Sequence, residues 1–110
     1  MEGKIEMSAK KDSLIKKKLD WTLYTIDCRP AMKTVVQVLA YGAKNYGARN
    51  WCKGNTPEFR RELRAAIERH TDALDNGELI DPESKLPHIG HIIASWTFLL
   101  MYQIVSSTEK

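Results

Sequence analysis

A short stretch in the last third of the chain combines carboxylates and imidazoles at regular spacing. Glu78 and Asp81 are three residues apart, and so are His88 and His91. Residues three apart lie on one face of a helix, so two imidazoles that begin a helix would point the same way. Oxygen ligands suit Mg²⁺ or Mn²⁺, whereas mixed histidine and carboxylate sets suit Mn²⁺, Fe²⁺ or Zn²⁺. These residue types indicate a candidate metal site, with Glu83 as a further acidic side chain.

The same stretch is also typical of a structured turn. Acidic residues just before a helix stabilise its positive end, and the Asp-Pro-Glu-Ser sequence at 81–84 is favourable turn chemistry. His88 would then only cap the helix that follows. Spacing alone leaves a site and a structured turn equally open.

A third histidine, His70, lies on the apolar face of a predicted helix. A lone histidine in such a position is more often a hydrogen-bonded core residue than a ligand. The short connection to the next predicted helix makes the two helices antiparallel neighbours. His70 lies about two turns before its helix ends, and His91 about one turn into the next. We therefore expect these two imidazoles to come close across the hairpin.

Residues 41–53 are rich in side chains that recognise nucleotides. Aromatic rings stack on bases, asparagine amides read base edges, and Lys and Arg contact phosphates. The candidate nucleotide-binding residues of this segment are Lys44, Tyr46, Arg49, Asn50, Trp51 and Lys53. The alternative is a loop whose aromatics anchor it to the core while its cations stay in solvent, and composition alone slightly favours that alternative.

Three predicted helices position these residues. The first opens at Pro30 and runs to about residue 47, since apolar residues recur there at helical spacing. The second begins at Thr56, a hydroxyl cap followed by proline, and stops at Gly77. The third opens at Pro87 and runs to about residue 106.

The chain before these helices is predicted to be irregular. Residues 1–20 form a flexible basic lead-in, and residues 21–29 an extended or turn-rich segment that pins this arm to the core. Residues 21–110 form a single helical domain. The lysine run at 16–18 could contact phosphate or nucleic acid, although charge runs usually only solvate a chain.

Composition indicates a small cytoplasmic helical protein. The 110 residues allow one domain, and two well-separated cysteines without a CxxC pattern fit a reducing compartment. No apolar signal segment follows the N-terminus. Residues 89–105 lack charged side chains, but they are slightly short for a membrane span and contain polar residues, which favours the central helix of a bundle. We predict an all-α fold, a small helical hairpin or bundle with an irregular N-terminal arm, completed by oligomerisation.

Four pieces of the sequence are distinctive in combination. They are Tyr41-Gly42-Ala43-Lys44-x-Tyr46-Gly47-x-Arg49-Asn50-Trp51, Arg69-His70, Gly77-Glu78-x-x-Asp81-x-Glu83-Ser84 and His88-x-x-His91. In this order and spacing they resemble a phage family named for the N-terminal domain of dATP/dGTP diphosphohydrolases. The resemblance covers roughly residues 21–100, which is most of the chain.

The resemblance implies nucleotide chemistry in the cytoplasm of an infected bacterium. In that activity a purine deoxynucleoside triphosphate is cut between its α and β phosphates, giving the monophosphate and pyrophosphate. The related MazG-type all-α enzymes hold Mg²⁺ with carboxylates that include an E-x-x-D pair, and Glu78 and Asp81 have that form. The implied cofactor is Mg²⁺ or Mn²⁺, with Glu83 as a further ligand or a base.

The resemblance also implies roles for the remaining candidates. Its histidines, His70, His88 and His91, would orient groups or move protons, and His88 and His91 could also ligate the metal. In the segment 41–53, the cationic side chains would contact the phosphates, and the aromatic rings would stack on the base.

Two departures from the family pattern keep other functions open. Lys85 stands where the family commonly has glycine, which predicts a different turn backbone. The MazG pattern also has an earlier acidic pair, and Glu58 and Glu62 are four apart and off the apolar stripe. One alternative is therefore a binding protein that sequesters a nucleotide signal of host defence without cleaving it. Another is a nucleic-acid-binding protein that uses the basic lead-in.

Overall fold

The computed structural model describes residues 18–47 and 54–108, and within them four helices. The helices are α1 (Thr22–Thr25), α2 (Arg29–Tyr46), α3 (Pro57–Asp75) and α4 (His88–Thr108). The described residues contain no strand, only one isolated antiparallel bridge between Ile80 and Pro87. The prediction of an all-α fold is confirmed. The lead-in up to residue 17 lies outside the described residues.

Helix α2 follows its predicted bounds closely. Pro30 occupies the first turn, where its missing N–H costs no helical hydrogen bond. The helix ends at Gly47, which has a φ of +93° and donates its N–H to the Ala43 carbonyl at 2.8 Å. Val35 and Val38 are buried on one face of α2, so packing outweighs the modest helix propensity of valine.

Helix α3 begins and ends at strong local signals. The Thr56 hydroxyl accepts a hydrogen bond from the Phe59 N–H at 3.1 Å, which satisfies one of the free donors of the first turn. At the other end, Gly77 has a φ of +88° and donates to the Leu74 carbonyl, while the Glu78 N–H donates to Ala73, both at 2.9 Å. This pair of bonds is a Schellman motif, and it directs Glu78 out of the helix.

Helix α4 is the central helix, because both α3 and α2 pack against it. Rings of Phe59 and Tyr102 meet at one end of the α3–α4 pair, with centroids 6.4 Å apart. Rings of His70 and His88 meet at the other end, so the two helices are antiparallel, as predicted. The contact with α2 buries Ala94 against the two valines.

The sequence also raised a membrane span as an alternative for the last helix, α4. Within the described part of the chain, His88–Ser106 is the one helical stretch long and apolar enough to cross a membrane by length and composition alone. The same test is passed by core helices of soluble proteins. Of this stretch, 22% is buried inside the described fold. Two helices pack on α4, so it is the central helix of the bundle, and its first turn carries two histidines.

The segment 21–29 is turn-rich, one of the two predicted forms, but its side chains are not buried in the core. It forms the helical turn α1, which starts where the Asp20 carboxylate accepts the Thr22 N–H at 3.0 Å. The side chains expected to pin the arm are largely exposed, with Trp21 at 75% and Leu23 at 63%. A local hydrogen bond to the Asp20 carboxylate, rather than burial in the core, therefore holds the start of this segment. Completion of the fold by oligomerisation stays a prediction.

Candidate functional site

Three histidines from two helices meet at one end of the α3–α4 hairpin. His70 comes from the last turns of α3, and His88 and His91 from the first turn of α4. The rings of His70 and His91 are stacked, with an interplanar angle of 4° and centroids 4.6 Å apart. The centroid of the His88 ring is 5.0 Å from that of His70. The expected approach of His70 and His91 is confirmed, and we call these three residues the imidazole cluster.

A series of hydrogen bonds connects Glu78 to the imidazole cluster. His88 is buried, and its Nε2 lies 2.8 Å from Glu78 Oε1 while its Nδ1 lies 2.7 Å from His70 Nδ1. An ionised carboxylate can only accept, so Nε2 of His88 carries a proton and donates it to Glu78. The neutral His88 ring then accepts at Nδ1 from the Nδ1–H of His70. This arrangement leaves a lone pair on Nε2 of His70.

The Asp81 carboxylate is fixed by the turn that follows it. Its Oδ2 accepts the Ser84 N–H at 2.9 Å and lies 3.7 Å from His91 Nε2. Ser84 Oγ lies 2.7 Å from the same His91 nitrogen and accepts the Leu86 N–H at 3.2 Å. The stretch is therefore both a structured turn and part of a histidine site, so the two sequence interpretations are compatible.

Backbone hydrogen bonds fold the connection between α3 and α4 into a closed loop. Asp81 N–H donates to the Leu86 carbonyl at 2.9 Å, and His88 N–H donates to Leu79 at 3.0 Å. Lys85, which donates to the Asp81 carbonyl at 2.8 Å, has a φ of +66°. Lys85 thus adopts the left-handed conformation that glycine favours, and a difference from the turn backbone of the family stays a prediction.

Burial sets the protonation states in this site. Desolvation lowers the pKa of both His70 and His91 from the ordinary value, and the neighbouring imidazoles lower that of His70 further. Burial would raise the pKa of Asp81, but hydrogen bonds from Ser84 and the charge of His91 outweigh it and lower that pKa. Neutral imidazoles beside an ionised carboxylate are the forms that ligate a metal.

Three side chains of the site have the spacing of metal ligands. His70, Asp81 and His88 each offer a donor atom, and these atoms all lie within 4.8 Å of one another. Ligands at about 2.1 Å from an octahedral cation are about 3 to 4 Å apart, so these three side chains would hold one divalent ion after small shifts. Two nitrogens and one oxygen suit Mn²⁺ better than Mg²⁺. Glu78 meets the other nitrogen of His88, where it orients the ring.

The remaining predicted residues are less closely associated with the imidazole cluster. Glu83 is exposed in the turn, and its negative charge only partly opposes the desolvation that lowers the pKa of His91. Lys44 is exposed in the last turn of α2. The side chain of Tyr46 and the whole of Arg49, Asn50, Trp51 and Lys53 lie outside the described residues. The roles proposed for all of these residues stay predictions.

Sequence reasoning missed two contacts of the site. The Tyr41 ring meets that of His91 edge-on, with centroids 6.3 Å apart, so α2 also contributes to the site. Tyr41 follows Val38 by three residues on the buried face of α2, which is the signal that could have found it. Ser84, the second contact, is the last residue of a turn motif and, like Tyr41, belongs to the family pattern, but neither residue was assigned a role.

The comparison with protein families gives one match. The family model described as dATP/dGTP diphosphohydrolase, N-terminal, matches residues 8–109 of the chain. The matched range contains all four helices and every residue of the candidate site. No curated protein and no solved structure shows a match to the chain.

Proposed function

Because the chain belongs to the dATP/dGTP diphosphohydrolase N-terminal family, we propose that it cleaves purine deoxynucleoside triphosphates at the imidazole cluster. Water attacks the α phosphorus, and the bond from this phosphorus to the oxygen that bridges to the β phosphate breaks. The products are the deoxynucleoside monophosphate and pyrophosphate. The observation that carries this proposal is the close set of donors from His70, Asp81 and His88. The proposed setting is the cytoplasm of a phage-infected bacterium.

The proposed cofactor is a divalent cation held by His70, Asp81 and His88. The mixed donor set favours Mn²⁺, with Mg²⁺ as the alternative. When bound, such an ion would neutralise phosphate charge and lower the pKa of a coordinated water. The lowered pKa of His70 supports this assignment, since that ring must be neutral to ligate.

The other side chains of the site position these donors. Glu78 accepts Nε2–H of His88, so Nδ1 is the nitrogen of His88 that would ligate the cation. Ligation would replace the hydrogen bond that Nδ1 now accepts from His70. Ser84 holds both Asp81 and His91 in place. His91, whose pKa is also lowered by desolvation, is neutral at pH 7 and is proposed to act as a base that accepts a proton. Lys44 and the basic and aromatic residues at 46–53 are proposed to contact the phosphates and base.

The test is incubation of the full chain with dATP or dGTP and either Mn²⁺ or Mg²⁺, followed by chromatography. We expect the monophosphate and pyrophosphate, with faster turnover in Mn²⁺. Asp81→Asn should abolish turnover, and Glu78→Gln should lower it about 10- to 100-fold because His88 loses its orienting partner. Asp72→Asn makes the matched change at an exposed position of α3 and should leave turnover unchanged.

Cation binding has a readout separate from cleavage. Mn²⁺ that binds only the folded chain raises its thermal unfolding midpoint. We expect this rise in the unaltered chain and in Asp72→Asn, but not in Asp81→Asn. Unchanged turnover or an unchanged Mn²⁺ response in Asp81→Asn would reject this location for the site.

A second candidate is sequestration of a nucleotide without cleavage. Two observations favour it. Only one of the three donors is a carboxylate, and Glu58 and Glu62, the candidates for the earlier acidic pair of the MazG pattern, lie at exposed positions of α3. Glu62 lies eight residues before His70, about 12 Å along the helix axis, too far to join the donors. Stoichiometric recovery of intact nucleotide after the protein is denatured would establish this function instead.

We also propose that the chain self-associates through α4. Five large side chains on one face of this helix are substantially exposed: Ile89, Ile93, Trp96, Leu100 and Ile104. Burial of such a face against a second copy would remove it from water, which supports the proposed homo-oligomer.

A further inference from the structure

A groove lies between α3 and α4 at the opposite end of the hairpin from the imidazole cluster. Its volume is about 540 Å³. The first half of α3 forms one wall with Arg60, Arg61 and Arg64, and the second half of α4 contributes Trp96 and Tyr102. We call it the arginine groove. Neither the proposed cleavage nor the cation uses it.

The arginine groove concentrates positive charge. Three of its lining residues are arginines and none is acidic. Arg64 forms an ion pair with Glu68 at 3.5 Å, but both side chains are largely exposed, so this pair is weak. Arg61 is exposed, and no ion pair with it occurs among residues 18–47 and 54–108. The groove therefore has guanidinium groups available for an anion.

One of these guanidinium groups is held in place. Arg60 donates a hydrogen bond to Oδ1 of Asn55, and Asn55 Nδ2 donates to Ser106 Oγ at 3.5 Å. Asn55 thus connects the start of α3 to the end of α4 and fixes the Arg60 side chain between them. Tyr102, which also lines the groove, is buried, and its ring meets that of Phe59 edge-on.

An indole ring supplies a flat surface beside the arginines. Arg64 Cζ lies over the Trp96 ring, 4.8 Å from its centroid, and Trp96 is still 45% exposed, so part of its surface is open to solvent. Large exposed aromatic rings next to cations are the usual platform on which nucleic acid bases stack. The groove therefore combines a stacking surface with an anion site.

We propose that the arginine groove binds a free nucleoside triphosphate, with its phosphates on Arg60 and Arg61 and its base on Trp96. Guanidinium groups form paired hydrogen bonds with phosphate oxygens, and the groove has the volume of ordinary small-molecule sites.

This site is separate from the imidazole cluster. Arg60 and His70 are ten residues apart, about 15 Å along the axis of α3. Trp96 lies about 140° around α4 from His91. The groove needs no cation, so this inference does not depend on the proposed cleavage. Because Trp96 also lies on the exposed face of α4, a bound nucleotide and a second copy of the chain would compete for this ring.

The test measures dATP binding to the full chain by calorimetry in EDTA, where no divalent cation is available. We expect Arg61→Ala and Trp96→Leu each to weaken binding by about tenfold. Arg29→Ala removes the same charge from an exposed position of α2 and should leave the affinity unchanged. Asp81→Asn should also bind dATP normally, which separates the groove from the cation site.

Four outcomes would overturn the inference. One is absence of dATP binding in EDTA. A second is equal weakening by Arg61→Ala and Arg29→Ala, which would indicate unspecific attraction by net charge. A third is equal affinity for inorganic triphosphate and dATP, because the base would then contribute nothing. The fourth is binding of a single-stranded oligonucleotide with no binding of the free nucleotide.

Discussion

His88 illustrates how the partners of one side chain fix its chemistry. It is 3% exposed, and both of its ring nitrogens have hydrogen-bonding partners. A buried imidazole without such partners would destabilise the fold, so Glu78 and His70 satisfy a structural requirement as well as a proposed functional one. Because the Glu78 carboxylate accepts the proton of Nε2, it also selects the tautomer of His88 that has no proton on Nδ1.

Lys85 carries local backbone strain that a substitution can relieve. Its φ of +66° crowds the side chain against the backbone, at a cost of about 1 kcal/mol that glycine does not incur. We expect Lys85→Gly to raise the free energy of unfolding in urea by about 1 kcal/mol. Lys85→Ala retains a Cβ and should give no such gain. Equal stability of the two variants would contradict this account.

The helices of this chain begin and end through interactions within a few residues. Thr56 caps α3, and the two hydrogen bonds around Gly77 close it. Because the Schellman motif sets the direction of the chain, it determines where Glu78 leaves α3 and meets His88. The ends of the helices thus position the candidate site as directly as their packing does.

Helix packing distinguishes two helical glycines. A Cβ at Gly90 would lie 3.2 Å from methyl groups of Thr34 and Val38, whereas one at Gly42 would meet nothing within 4 Å. Since β-branched side chains are stiff at χ1, the neighbours of Gly90 have little room to move.

Alanine at these two positions is expected to have opposite effects on stability. Gly42→Ala should stabilise the fold by up to about 1 kcal/mol through helix propensity. Gly90→Ala should destabilise it by about 1 kcal/mol because α2 and α4 are forced apart. Thermal or urea unfolding of the two variants measures the difference. Stabilisation by both would show that the contact between α2 and α4 is looser than described.

The whole molecule is an antiparallel hairpin of α3 and α4 with α2 packed on one side. The two ends of this hairpin carry different chemistry: imidazoles and carboxylates at one, guanidinium groups and an indole at the other. Between them, α4 exposes apolar side chains to solvent. Both proposed ligand sites depend on the register of α3 against α4.

Self-association through α4 can be tested by introducing one charged side chain on its exposed face. Leu100 is 56% exposed, and Leu100→Glu would place a carboxylate in the proposed interface, where burial is costly. We expect a fall in mass by light scattering during gel filtration, to that of a smaller assembly or a single chain. Gln37→Glu adds the same charge at an exposed position of α2 and should leave the mass unchanged. An unaltered mass for Leu100→Glu would argue against this face.

Local signals in the sequence predicted the helices well. Pro30, Thr56 and Gly77 fix helix ends through caps and backbone conformation, which depend only on neighbouring residues. The spacing of His88 and His91 likewise placed both on one face of a helix. These features could be predicted because the interactions involved span no more than one helical turn.

Contacts between helices could not be read in the same way. The meeting of His70 and His88 through their Nδ1 atoms, and that of Tyr41 with His91, depend on how far one helix slides and turns against another. Antiparallel packing predicted only that His70 and His91 would be near. The pairing of individual atoms, and the arginine groove at the far end, depend on side-chain packing summed over the whole hairpin, which no short sequence pattern encodes.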